Sequence, residues 1–139
     1  MRKFNVVAVL AIGALVARGA SAADVTEADF QKAMKDVLGG MQAAGKTMRE
    51  AGDLAVVATA ARTIDAALAS AHPFWVARKT DDAIEMNTKA RAAVMALAKA
   101  ADSKDAAATG EAMKGVQASC KACHDVHREQ LPDRTYKVK

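Results

Sequence analysis

The sequence predicts an all-α protein, an antiparallel up-down-up-down four-helix bundle. Every periodic stretch repeats its apolar residues at three- and four-residue spacing, and no alternating β pattern occurs. The breaks between stretches fall where Gly, Pro or an acidic cap appears. Helices of about 20 to 26 residues joined by short connections make antiparallel neighbours.

The first helix is expected from about Thr26, an N-cap with Asp29 three residues on, to about Glu50, with Phe30, Met34, Val37, Met41, Ala44 and Met48 along one stripe. Gly52-Asp53 ends it and caps the second, which runs from about Asp53 to Ala71 with Leu54, Val57, Ala61, Ile64 and Leu68 at core spacing. His72-Pro73 is read as its stop, followed by a loop holding Phe74 and Trp75. The third starts near Thr80 or Asp81 and continues to about Ala101, with Ile84, Ala90, Val94 and Leu97 inward. Asp102-Ser103 makes the next break. The fourth spans about Asp105 to Gln130, with Met113, Val116, Cys120, Cys123, His124 and His127 on one face, and Pro132 closes it.

Residues 1–22 read as a secretory signal peptide and residues 23–139 as one small domain. Arg2 and Lys3 form a basic start, Val6 to Ala17 an apolar stretch, and Ala20-Ser21-Ala22 a small-residue cleavage site. The apolar stretch falls short of the roughly 20 residues a membrane span needs, and Arg18 interrupts its end. Arg2, Lys3 and Arg18 would leave with the leader and no acid does, taking the formal charge from +4 to +1. The high isoelectric point is therefore no argument for nucleic acid, and no basic stripe with interleaved aromatics is present.

Chemistry concentrates in Cys120-Lys121-Ala122-Cys123-His124, a C-x-x-C-H sequence, which is the attachment signal for c-type haem. On a helix, positions i, i+3 and i+4 share one face, so two thiols reach the two vinyl groups of one porphyrin while the adjacent imidazole reaches the iron. A thioredoxin-like C-x-x-C would need a preceding strand and a βαβ context. A zinc site built on these residues with His127 lacks a second ligand pair. A disulfide within one helical turn would be strained and close a trivial loop. Haem attachment also agrees with export, because covalent c-type haem is fitted outside the bacterial cytoplasm. The few aromatics of residues 23–139 (Phe30, Phe74, Trp75 and Tyr136) and the abundant alanine leave space that a buried porphyrin would fill.

Topology locates the second axial ligand. The start of the first helix and the connection between second and third should lie beside the end of the fourth. His124 is expected about six residues, roughly 9 Å, before that end. Met34 lies about eight residues, roughly 12 Å, into the first helix, whereas Met41 is about 22 Å in and Met48 is near the far end. Depth selects Met34, and a thioether paired with imidazole is the usual axial set of an electron-transfer cytochrome c. Met41, Met48, Met95 and Met113 read as core packing. His72 and His127 are the other candidate sixth ligands, but His72 reads as a surface residue of the loop at the haem end, and His127 projects from the haem helix itself and cannot reach the opposite face.

Ser119-Cys120-Lys121-Ala122-Cys123-His124-Asp125 followed by Arg128, with Met34-Lys35 and Met41 on the first helix, resembles the class II cytochromes c, meaning cytochrome c′ and its low-spin relatives of the c-556 type. The resemblance covers essentially all of residues 23–139. It implies a four-helix bundle with one covalent haem c near one end, tethered by Cys120 and Cys123, with His124 as the iron's fifth ligand and Arg128 beside it. A methionine at the position of Met34 marks the six-coordinate electron carriers in that family. A non-ligating apolar residue there marks the five-coordinate proteins that bind nitric oxide and carbon monoxide. Two departures stand out. Phe30 occupies a position where relatives often carry an Arg near a propionate, which leaves Arg78 or Lys79 as the cations offered by topology. His127 replaces a frequent Tyr.

The expected function is that of a periplasmic one-electron carrier, not an enzyme, with iron ligated by His124 and Met34 and redox proteins as partners. A gas-binding haem protein with an open or weakly held sixth position is the alternative, and a dedicated subunit of an oxidase or dehydrogenase a third. Family members are often dimers through the first two helices, and Gly39, Gly40, Ala43 and Ala44 would permit such close contact or serve haem clearance.

Overall fold

The computed structural model describes residues 25–139, and the expected signal peptide lies outside the described residues. The element order is α1 (Glu27–Arg49), α2 (Leu54–Arg78), α3 (Asp81–Asp102), α4 (Ala106–His127), β1 (Arg128–Gln130) and β2 (Tyr136–Val138). Consecutive helices pack closely, whereas α1 and α4 are not packed together to any comparable extent. The bundle is thus closed along three seams and open along the fourth.

The ends are set by local chemistry. Thr26 and Asp29 form a reciprocal capping box at the start of α1. The Thr26 hydroxyl and amide, both hydrogen-bonded to the carboxylate, hold Asp29 below the usual carboxylate pKa range. Asp53 and Asp105 side chains accept amides of the first turns of α2 and α4, at 2.9 Å each. The three interhelical turns each contain a non-glycine residue at positive φ: Ala51, Lys79 and Lys104. Gly52, read as the breaker after α1, is not the left-handed residue there; Ala51 is.

One boundary differs substantially from the sequence expectation. Helix α2 does not stop at His72-Pro73 but continues to Arg78, so Phe74 and Trp75 are helical and buried and His72 is a half-buried helical residue. Proline at an interior position removes one amide donor and costs about 3 kcal/mol. Burying a phenyl and an indole recovers about 1.5–3 kcal/mol or more each. In the preceding turn the Asn87 amide on α3 donates to the Leu68 carbonyl at 3.1 Å, tying α2 to α3, and the Ser70 hydroxyl donates to the Ala67 carbonyl at 2.7 Å. The Pro73 ring itself faces solvent.

The core has two parts. The larger, built around Val57, Ile64, Val94, Leu97 and Val116, fills the middle of the bundle. The smaller comprises Phe30, Ala33, Ala71, Phe74, Trp75 and Ala83, with Val138 packed against it. Phe30 and Phe74 stack with ring centroids 4.5 Å apart, and Trp75 meets both edge-on at 5.1 Å. Arg91 and Asp65 make a bidentate pair across α2 and α3, at 2.8 and 3.2 Å. Helix α2 is long and apolar enough by composition to cross a bilayer, but its apolar residues supply both parts of this core.

Helix α4 ends at His127, not Gln130. Arg128–Gln130 instead pairs antiparallel with Tyr136–Val138, a hairpin that sequence periodicity does not announce. Its tight turn has Arg134 at positive φ and the Asp133 carboxylate accepting from the Thr135 amide and hydroxyl, at 2.9 and 2.6 Å.

Helices α1 and α2 approach closely at Gly40, where an added Cβ would sit 2.5 Å from Ile64 Cγ1 and 3.3 Å from the Ala60 carbonyl oxygen, while nothing lies within 4 Å of one at Gly39. Gly40→Ala should therefore destabilise by about 1–3 kcal/mol. Gly39→Ala should stabilise by about 0.5–1 kcal/mol through helix propensity. Urea denaturation of the two variants checks this, and equal effects would contradict the packing described.

Candidate haem site

The inward stripe of α4 changes character along its length. Thr109, Met113 and Val116 are buried, but Cys120, Cys123 and His124, continuing the same face, are only half-buried. Their stretch of helix borders the open seam between α1 and α4. The apolar stripe thus gives way to partial exposure where three reactive side chains begin. The residues therefore fit a haem: two thiols one turn apart, an adjacent imidazole, and an unpaired seam beside them.

The electrostatics match. Burial pushes the Cys120 thiol above its ordinary pKa, and burial together with Cys120 and Asp82 does so for Cys123. Catalytic redox cysteines show the opposite shift, so a thioredoxin-like role is disfavoured on chemistry as well as on fold. Among the described residues no group of three His, Cys, Asp or Glu converges as a metal cluster. Burial, then the charge of Arg128, lower the His124 pKa, with Asp125 opposing. A neutral imidazole is the form that carries a lone pair to offer a metal.

His127, expected on the same face as the thiols, is placed elsewhere. Its Nε2 lies 3.1 Å from Asp82 Oδ2 and its ring 5.2 Å from that of Trp75. With a side chain only 10% exposed, it joins the end of α4 to the start of α3 and the end of α2. The departure from Tyr is thus accommodated by an acidic partner.

Met34 is half-buried and packs against both parts of the core, while Met41 and Met48 pack against the larger part alone. The depth comparison needs correcting. Because α4 ends three residues after His124, that residue lies only about 4.5 Å from the helix end. The residue at equal depth on α1 is Phe30, which is committed to the aromatic stack. Met34, one turn further in, is the first α1 thioether beyond that stack. Arg78 is the last residue of α2, its guanidinium 5.0 Å above the Phe74 ring, and Lys79 is the left-handed cap that follows. Arg128 caps α4, with its guanidinium 4.1 Å above the ring of Tyr136. The hairpin and the part Tyr136 plays in it were missed from sequence, where Pro132 was read only as the end of the fourth helix.

The family model described as Cytochrome C' matches residues 78–128, which runs from the end of α2 through the whole of α3 and α4 and includes the attachment sequence. Helix α1, and Met34 with it, lies outside the matched segment. No curated protein matches the chain. The bundle, the C-x-x-C-H face on its last helix and the matched segment agree, and together they support assignment of the chain to the class II c-type cytochromes, the family of cytochrome c′.

Proposed function

We propose that the protein is a periplasmic single-electron carrier of the c-556 kind, with His124 and Met34 as axial ligands and no substrate of its own. When bound, the haem supplies reversible ferric–ferrous chemistry. Cys120 and Cys123 tether it and take no part in redox change. His124, kept neutral by burial and by Arg128, offers its lone pair to the iron. The apolar residues along the seam exclude water, and a soft thioether from Met34 favours the less charged ferrous state. The single observation that carries this reading is the thioether itself: Met34 stands half-buried at the junction of the two core parts, the first methionine of α1 on the haem end.

The basic leader and cleavage signal support export to the periplasm. Redox partners would approach the bundle end where Arg78, Lys79 and Arg128 gather, and the first two cations are the candidates for the propionates. A homodimer through α1 and α2 is supported by a shallow outer groove lined by Gly39, Gly40, Ala43, Thr59 and Thr63, with the exposed Leu38 and Val56 on the same two helices.

A second reading is favoured by the name of the matching family, whose five-coordinate members bind nitric oxide and carbon monoxide. In that case Met34 would be packing only, or a ligand weak enough to be displaced.

Two measurements follow. The exported protein should weigh the polypeptide plus one haem, and Cys120→Ala with Cys123→Ala should reduce it to the bare chain; a wild-type protein without the added mass refutes the haem assignment. The ferrous spectrum should be low-spin and insensitive to carbon monoxide, and Met34→Ala should make it high-spin and responsive. A wild-type spectrum that already shifts with carbon monoxide selects the gas-binding reading, and an unchanged spectrum in Met34→Ala eliminates that ligand.

A further inference from the structure

The C-terminal hairpin closes on the last turn of α4 from several directions. The Lys139 amide donates to the His127 carbonyl at 3.0 Å, and the Lys139 ammonium to the Asp125 carbonyl at 3.4 Å. Carbonyls that a helix end ordinarily leaves without donors are thus answered by the far strand of the hairpin. Val138 packs into the aromatic cluster, and the Gln31 amide donates to the Tyr136 carbonyl at 3.5 Å, tying the hairpin to α1.

Tyr136 has a second role. Its ring carries the Arg128 guanidinium at 4.1 Å, while its hydroxyl accepts from Gln130 Nε2 at 3.2 Å. The neighbouring carboxylate of Glu129 is engaged with Lys137 at 3.3 Å. The aromatic face, not an acid, therefore sets where the Arg128 charge stands. That charge lies one turn after His124, whose carbonyl accepts the Arg128 amide.

We propose that the hairpin is a positioning device for the fifth-ligand side of the haem site, in which Tyr136 holds the Arg128 guanidinium beside His124 and Lys139 with Val138 fixes the last turn of α4. This rests on the reading that His124 ligates haem iron. A cation held near the iron disfavours the more positive ferric state by Coulomb's law, and the same cation released into water is largely screened. The hairpin thereby sets part of the reduction potential without touching the cofactor.

The test uses the exported holoprotein. Tyr136→Leu should lower the reduction potential, Tyr136→Phe, which keeps the ring, should not, and Arg128→Leu should lower it alike. Adding Tyr136→Leu to Arg128→Leu should produce no further shift, because the ring acts through the guanidinium. An unchanged potential in Tyr136→Leu, or a full additional shift in the double variant, overturns the proposal. The Tyr136 ring is 42% exposed, so these variants are expected to fold. Independently of the cofactor, deleting residues 136–139 should speed amide hydrogen exchange at residues 124–128 about tenfold. Unaltered exchange there overturns the strap. A protein lacking the haem mass would instead defeat the functional reading, and the exchange measurement still decides the strap.

Discussion

The structure depends on the aromatic cluster at one end of the bundle. Phe30 from α1, Phe74 and Trp75 from α2 and Ala83 from α3 pack there, with Val138 of the hairpin against them. Through Trp75 and Asp82 the same cluster receives His127 at the end of α4. It fixes the relative positions of five chain segments at the level of the attachment sequence, so α1 and α4 can remain apart without the bundle collapsing. An open seam needs such a brace, since the alanine-rich middle of the bundle pulls helices together. Gly40 against Ile64 shows how closely α1 and α2 pack once no cofactor intervenes.

Much of this was legible because it is local. Thr26 with Asp29, Asp53 and Asp105 announced helix starts that the capping bonds match. The spacing of Cys120, Cys123 and His124 specified one helical face regardless of what lay opposite. The end of α2 was not legible, because Pro73 is a strong local signal overruled by a non-local one, the burial of the two aromatics that follow it. The hairpin was invisible for a related reason: strands of three residues have no measurable period, and part of their stability comes from outside the hairpin, from Gln31, His127 and the aromatic cluster. His127 shares a helical face with the thiols on paper, but the acid that draws it away comes from the start of α3.

Helix α4 ends only three residues after His124, which bears on the place of Met34 in α1. Equal depth in two antiparallel helices would have selected a residue by arithmetic, and the shortened helix gives that place to Phe30. A phenyl ring has no lone pair to offer a metal, and Phe30 is committed to the aromatic stack; the first thioether of α1 beyond that stack is Met34, one turn deeper. There the side chain must bridge an aromatic end and an aliphatic middle, which an unbranched, polarisable thioether does better than leucine or phenylalanine. Core packing and ligation thus ask for the same residue at the same place.

Electrostatically, the site separates charge from burial. The imidazole and the two thiols sit in surroundings that favour their neutral forms. The nearby cations are held at the edge by aromatic faces, Arg78 on Phe74 and Arg128 on Tyr136, rather than by carboxylates. A carboxylate partner would cancel the field of the guanidinium at the iron, whereas an aromatic face orients the charge and leaves most of it effective. Rings at this end therefore serve two purposes, bracing the bundle around an open seam and orienting cations at its edge, where Asp125 only partly offsets the charge of Arg128.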